Sequence, residues 1–237
     1  MDSLKEAKLR LAGSVRPVAL TGAGVSAESG VPTFRGSEGL WRNFRPEDLA
    51  TPGAFERDPA LVWQWYDWRR KKISEVKPNP AHRALAEIEK GHPGFTLITQ
   101  NVDGLHTLAG STNVLELHGS IWRVRCTGCG TVKEDRTLPI KTPPVCGCGG
   151  IMRPDVVWFG EMLPEAVIEK AFEAASKADF MMVVGTSGVV QPAASLAFRA
   201  REAGAYLVEI NPESTPLSGI MDQRIPGRAG DIVPGFL

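Results

Sequence analysis

Two sets of residues in this chain have types and spacings that could do chemistry. The first is Gly22-Ala23-Gly24-Val25-Ser26-Ala27, entered from apolar Val18-Ala19-Leu20-Thr21. Gly22, Gly24 and Ala27 fit the G-x-G-x-x-G/A spacing of a dinucleotide pyrophosphate turn. Absent side chains let backbone N–H groups approach phosphate there, and a helix N-terminus favours its charge. The same glycines could serve only to turn a strand into a helix. No clear second strand carrying an acid for a ribose follows, and the chain runs instead into Pro32-Thr33-Phe34-Arg35. The second set is Cys126-Thr127-Gly128-Cys129 with Cys146-Gly147-Cys148, which together hold all the cysteines. Such clustering argues for metal rather than disulfides. Four thiolates suit tetrahedral zinc and leave no open position, so the role is structural. The C-x-C closure is one residue tighter than the usual C-x2-C.

Among the four histidines, His118 is the candidate base. It follows the apolar stretch Val114 to Leu117 and immediately precedes Gly119, the end of a strand where parallel sheets gather ligands. A capping histidine satisfied by backbone is the alternative. His82, within an amphipathic helix, and His92, in a Gly-His-Pro turn, are expected on the surface. Asn101 and Asp103 form a polar pair at another strand end, able to bind ribose hydroxyls and an amide or to cap a helix.

The elements that must position these groups follow from periodicity. Helices are predicted over Leu4–Leu11, Ala60–Lys71, Pro80–Lys90, Pro164–Ser176 and Ala193–Ala203. Strands are predicted at Val18–Leu20, Phe95–Thr99, Val114–Leu117, Phe180–Val184 and Tyr206–Ile210, with a strand-like stretch at Asp155–Gly160. Residues 31–60 are expected to be irregular because Pro32, Pro46, Pro52 and Pro59 interrupt them. Short apolar strands alternating with helices imply an α/β fold with a parallel sheet covered on both faces. Four distinctive turns fall at strand ends: Gly22-Ala23-Gly24, Gln100-Asn101, Gly185-Thr186-Ser187 and Asn211-Pro212.

The bulk properties exclude several classes. A hydrophobic fraction of 43% fits a globular chain, and 237 residues allow one large domain with a small insert. With 27 basic and 27 acidic residues, the whole chain lacks a nucleic-acid footprint. No secretory leader or stretch of transmembrane length is visible, so a cytoplasmic location without membrane contact is the expectation.

Taken together, these motifs resemble the sirtuins, the NAD-dependent protein lysine deacylases. The matching runs are Gly22 to Ser26 through Pro32-Thr33-Phe34-Arg35, Thr99-Gln100-Asn101-Val102-Asp103-Gly104-Leu105-His106, His118-Gly119, and the cysteine segment. Further matches are Pro154-Asp155-Val156-Val157-Trp158-Phe159-Gly160-Glu161, Gly185-Thr186-Ser187 and Asn211-Pro212. The resemblance covers nearly the whole chain. It implies a Rossmann-like parallel-sheet part, near 1–30, 80–120 and 155–237, and a smaller zinc-binding module, near 31–79 and 121–154. NAD as co-substrate and one structural Zn2+ are implied, with the acyl group of a protein lysine passing to ADP-ribose and nicotinamide leaving. The partners implied are acylated lysine side chains of proteins, and a monomer without nucleic-acid contacts is expected. His118 is cast as the general base. Gly22, Ala23, Gly24, Ser26, Thr33, Phe34, Arg35, Trp41, Gln100, Asn101 and Asp103 are placed around NAD. So are Gly185, Thr186, Ser187, Asn211, Glu213 and Ala229. Val156, Phe159 and Gly160 would border the acyl-lysine tunnel.

Tyr66 and Arg69 stand three apart in the aromatic-rich helix, so both can face one pocket. Arg69 offers a planar fork to a carboxylate and Tyr66 a hydroxyl. With Ala50, the pair is similar to that of sirtuins that remove malonyl, succinyl and glutaryl groups, and deacetylation is expected beside it. Three other readings share parts of this pattern: mono-ADP-ribosylation, NAD sensing without turnover, and an NAD(P) oxidoreductase.

Overall fold

The computed structural model describes residues 3–33 and 45–237. Phe34, Arg35 and Trp41 lie outside the described residues. Helix α1 (Ser3–Ala12) buries Ala7 and Leu11. The chain then enters β1 (Pro17–Thr21), buried along its whole length, and turns at Gly22 into the short helix α2 (Ala23–Ala27). Residues 45–60 were expected to be irregular, yet they hold α3 (Pro46–Leu49), α4 (Pro52–Arg57) and the start of α5 (Pro59–Ser74). Proline costs nothing at a first helical position, because its missing N–H would have no intrahelical acceptor. Thr51 and Asp58 cap the two longer helices by accepting from the amides of Ala54 (3.1 Å) and Leu61 (2.9 Å). The prolines therefore start helices here.

Beyond α5 come α6 (Pro80–Gly91), β2 (Thr96–Thr99), α7 (Leu105–Leu108) and β3 (Val114–Glu116). The cysteine region contributes β4 (Gly119–Cys126), β5 (Val132–Glu134) and β6 (Met152–Val156). The chain continues through α8 (Glu165–Lys177), β7 (Phe180–Val184), α9 (Ser195–Glu202), β8 (Tyr206–Ile210), β9 (Gln223–Ile225) and α10 (Ala229–Ile232).

The large sheet runs β3-β2-β1-β7-β8-β9, with every neighbouring pair parallel. Numbered within that sheet, its strands lie in the doubly wound order, and the order reverses between β1 and β7. A crevice opens beyond the carboxyl ends of strands at such a reversal. Alternating side chains feed two cores. Phe180, Met182 and Val184 join Leu11, Leu85 and Ile88 on one face. Met181 and Val183 join Ala171, Ala175, Leu196 and Ala200 on the other. A second, antiparallel sheet, β5-β4-β6, packs with α5 around Trp63, Tyr66, Val124 and Met152. Among the described residues, no helix is long and apolar enough to cross a membrane.

His82 corrects the expectation of a surface residue, because it is fully buried, and His92 is partly buried. The Asn79 amide donates to His82 Nδ1 (3.3 Å), completing a capping box for α6. His82 Nε2 meets Ser26 Oγ at 3.3 Å. Burial, reinforced by Arg83, pushes its pKa down to about 4. The unfolded histidine titrates near ~6.5. Between those values the unfolded chain binds a proton that the folded chain excludes, so stability falls as pH drops through that window. His82 alone contributes a slope of up to about 1.4 kcal/mol per pH unit there. Urea unfolding at several pH values between 7.5 and 4.5 should show this loss, and His82→Gln should make it shallower, with buried His106 supplying part of the remainder.

Candidate active site

The end of β1 and the end of β7 touch through bare backbone. Gly24 N–H donates to the Gly185 carbonyl at 2.8 Å. A Cβ on Gly22 or on Gly24 would come within 2.8 Å of Gly185 atoms. Glycine is thus required at both positions by the approach of one loop to the other, in addition to any room it leaves for phosphate. Helix α2 has only five residues, so its dipole is weak. The remaining strand ends are tied to these two turns. Asn101 Nδ2 donates to the Gly22 carbonyl (3.0 Å), Gln100 Nε2 to Thr186 Oγ1 (3.0 Å), and Asn211 Nδ2 to the Thr186 carbonyl (2.7 Å).

These turns wall a cleft of about 910 Å³ at the reversal point. Gly22, Ala23, Gly24, Thr33, Gln100, Asn101, Gly185, Thr186, Ser187, Asn211, Glu213 and Ala229 line it. So do His118, Ala50, Tyr66, Arg69, Val156, Phe159 and Gly160. Ser26 and Asp103 do not. They are buried behind the wall, where Ser26 Oγ donates to Asp103 Oδ2 (2.8 Å) and accepts from Asn101 Nδ2 (3.2 Å). Burial raises the Asp103 pKa against the lowering effect of the Leu105 amide, Ser26 and Arg69. The cleft also takes in Glu28, Val190, Gln191 and Arg228, which sequence reasoning did not single out. None of them belongs to a spacing that sequence could signal.

His118 is half-buried in this wall. Its Nδ1 lies 2.9 Å from the Gln100 carbonyl. A carbonyl can only accept, so Nδ1 carries the proton and Nε2 is the basic nitrogen. Burial lowers the pKa, partly opposed by that hydrogen bond, so the ring is neutral at pH 7. Gly119 allows this placement. Its φ is +75°, and a Cβ there would lie 2.1 Å from the Asp155 carbonyl on β6.

Tyr66 and Arg69 are 1% and 5% exposed. Trp158 Nε1 donates to the Tyr66 hydroxyl at 2.9 Å. The Arg69 guanidinium lies 4.8 Å from the Trp65 ring centroid and 5.8 Å from that of Tyr66. Burial lowers the Arg69 pKa, while Tyr66 and Asp103 oppose the shift. Ala50 is held beside them by its carbonyl, which accepts from the Phe159 amide at 3.0 Å.

The four thiolate positions converge at the edge of the small sheet. All sulfurs of Cys126, Cys129, Cys146 and Cys148 lie within 4.8 Å of one another. Cys126 and Cys148 are 3.4 Å apart, Cys129 and Cys146 3.8 Å. Tetrahedral zinc with ordinary zinc–sulfur bonds separates sulfurs by about 3.8 Å, so the cluster fits one structural zinc. The tight C-x-C pair joins the set without leaving a sulfur out. The Cys129 amide donates to Cys126 Sγ at 3.4 Å and lowers that thiol's pKa, favouring the thiolate a metal needs.

A doubly wound parallel sheet with a ligand-sized cleft at its reversal point, beside an antiparallel module bearing four clustered thiols, defines a Rossmann-like, zinc-knuckle class of protein. Residues 22–192 match the Sir2 family, and the chain belongs to it. It is 55% identical over 214 residues to the NAD-dependent protein deacylase of Aquifex aeolicus (strain VF5), with 90% of each chain covered. A solved complex of a mutant Sir2 homologue with ADP-ribose is 50% identical, with a TM-score of 0.95 over 100% of this chain and 95% of that one. A Sir2 homologue bound to NAD is likewise 50% identical, with a TM-score of 0.91 over 98% and 91%.

Metal analysis should find one zinc per chain, and a chelator strong enough to remove it should lower the thermal unfolding midpoint. Chelation acts here by freeing a segment that binds metal as part of its folding. A zinc-free protein with an unchanged midpoint would remove the structural role.

Proposed function

We propose that this chain is an NAD-dependent protein lysine deacylase that favours succinyl and malonyl groups and retains deacetylase activity. The observation that carries the acyl preference is the buried Arg69 guanidinium in the wall of the cleft that also holds His118. A carboxylate entering from the cleft exchanges water for a charge-assisted hydrogen bond in a desolvated place. Tyr66 already accepts from Trp158, which leaves its hydroxyl proton as a second donor to the same carboxylate. Ala50, small and adjacent, leaves room for the longer acyl chain. In this reading the parts near 1–30, 80–120 and 155–237 hold the dinucleotide. The parts near 31–79 and 121–154 carry zinc and the acyl-reading helix.

Gly22 to Gly24 and Gly185 to Ser187 would hold the phosphates, and Asn211 and Glu213 the adenine ribose. Gln100 and Asn101 would sit nearer the nicotinamide, with Ser26 and Asp103 supporting Asn101 from behind. A cleft of this volume suits a ligand of dinucleotide size. Bound NAD supplies the electrophilic ribose carbon, the leaving group and the hydroxyls that accept the acyl group. The protein's part is then small. His118 takes a proton at Nε2, Gln100 fixes the ring through Nδ1, and the strand-end turns keep the reacting groups together. Val156, Phe159 and Gly160 border the lysine tunnel, and Phe159, half exposed at its mouth, presents an apolar rim to the substrate chain.

Two experiments test the reading. His118→Ala should abolish NAD-dependent deacylation while leaving NAD affinity within a few-fold, measured by mass spectrometry of products and by titration calorimetry. The acid limb of the wild-type pH profile should lie below pH 6.5, because the His118 shift is downward. Full turnover in the variant would remove His118 from the chemistry. Arg69→Met should raise KM for succinyl-peptide with acetyl-peptide turnover nearly unchanged. A charge-assisted hydrogen bond is worth about 1.5–3 kcal/mol, or roughly tenfold to a little over a hundredfold. Equal losses on both peptides would show that Arg69 supports the helix and does not read the acyl charge.

A further inference from the structure

Helix α5 carries two neighbouring stripes with different tasks. Trp65, Tyr66 and Arg69 line the cleft. Trp63, Asp67 and Arg70 follow the i, i+4, i+7 spacing of one helix face, and that face is hydrogen-bonded to the cysteine-bearing segment. Trp63 Nε1 donates to the Met152 carbonyl at 2.8 Å. The Ile140 amide donates to Asp67 Oδ1 at 2.9 Å. Arg70 Nη2 donates to the carbonyls of Asp135 and Thr137, the second at 3.3 Å, and pairs with Asp135 Oδ1 at 3.4 Å. Asp135 is itself fixed. Its amide donates to the Trp122 carbonyl in β4 at 2.8 Å, and its carboxylate accepts from the Thr137 amide at 2.9 Å. Loop 135–140 therefore lies between Cys129 and Cys146 in sequence and against Asp67 and Arg70 in space.

Arg70 is fully buried yet does not line the cleft. Its guanidinium lies 5.5 Å from the Trp122 ring centroid. Burying a cation away from any ligand costs desolvation that an apolar side chain of similar size would avoid. What arginine adds is reach and charge: its Nη2 alone meets two carbonyls and a carboxylate of one loop, while Nε and Nη1 are buried without a hydrogen-bond partner among the described residues.

We infer that Arg70, assisted by Asp67, is a positioning residue for acyl recognition. Docking on loop 135–140 fixes the rotation of α5 about its axis, and Arg69, the next residue, is thereby set at the cleft wall beside Tyr66. A displacement of about 1 Å is enough to take a hydrogen bond out of its favourable range. The inference rests on the acidic-acyl reading above, and the experiment separates the two.

Succinyl- and acetyl-peptides of one sequence are compared on wild type, Arg69→Met, Arg70→Met and Arg70→Lys, with amide hydrogen exchange measured on each protein. Arg70→Met should lower the succinyl-to-acetyl ratio of kcat/KM by about three- to tenfold through the succinyl KM, a smaller effect than that of Arg69→Met. Exchange should quicken across residues 63–73 and stay unchanged across Phe180–Val184. Arg70→Lys, which keeps a donor for the two carbonyls, should recover part of the ratio and remains informative if Arg70→Met folds poorly. An unchanged ratio, or equal losses on both peptides, overturns the positioning role. If wild type and Arg69→Met treat the two peptides alike, the acyl reading falls and the positioning role for acyl recognition falls with it. If wild type favours the succinyl-peptide and Arg69→Met loses that preference while Arg70→Met keeps it, the positioning role alone falls.

Discussion

The approach of two backbones at the reversal point of the sheet is the constraint on which the rest depends. Gly24 and Gly185 meet at hydrogen-bonding distance with no room for a Cβ on the β1 side. That contact brings the ends of β1 and β7 together. Gln100, Asn101 and Asn211 then fasten the remaining strand ends to the same two turns. The cleft exists because four loops, far apart in sequence, share one set of short contacts, one between backbones and three from amide side chains. A side chain at either glycine would separate the loops and with them the groups that must act on one ligand.

Behind the wall lies a buried polar layer that such a cleft requires. Thr21 Oγ1 donates to Thr99 Oγ1 at 2.8 Å and meets His106 Nε2 at 3.0 Å. His82, Ser26, Asp103 and Asn101 form a second chain beside it. His82 and His106 lie with ring centroids 4.8 Å apart, and burial lowers the pKa of both. Two neutral imidazoles can share this space where two imidazolium rings could not. Nearly every polar atom in the layer has a partner, which gives the loops defined positions at low cost. His106 Nδ1 is an exception among the described residues. Protonating it would add a donor with nothing to accept from it, consistent with the strong downward shift.

The two sheets divide the labour. The parallel sheet presents backbone and small side chains, suited to a ligand rich in phosphate and ribose. The antiparallel module presents α5, whose aromatic packing would let a guanidinium be buried at a cleft wall. Within that module Trp158 joins α5 to β6, because its indole bonds Tyr66 and its ring lies under the Arg153 guanidinium at 3.5 Å. Arg153 in turn pairs with Glu161 near the cleft rim. Tyr66 and Arg69 on α5 and His118 at the junction of β3 and β4 thus meet at one opening.

Sequence by itself determined the parallel α/β class, the glycine turn, the cysteine set and the identity of the strand-end residues. These follow from local patterns: apolar runs of strand length, C-x2-C spacing, and glycine where a chain must turn. It did not determine that Pro46, Pro52 and Pro59 open helices, because a proline breaks or begins a helix according to whether capping residues and a packing face surround it. It also misplaced His82, since Ser26 and Asp103, which bury with it, come from separate segments. The strand order, and so the position of the cleft, came only from packing, because nothing local records that β1 lies between β2 and β7. The division of α5 into a cleft face and a docking face was settled in the same way. Adjacent Arg69 and Arg70 carry the same charge, and only the surfaces packed against the helix put one at the cleft wall and the other on loop 135–140.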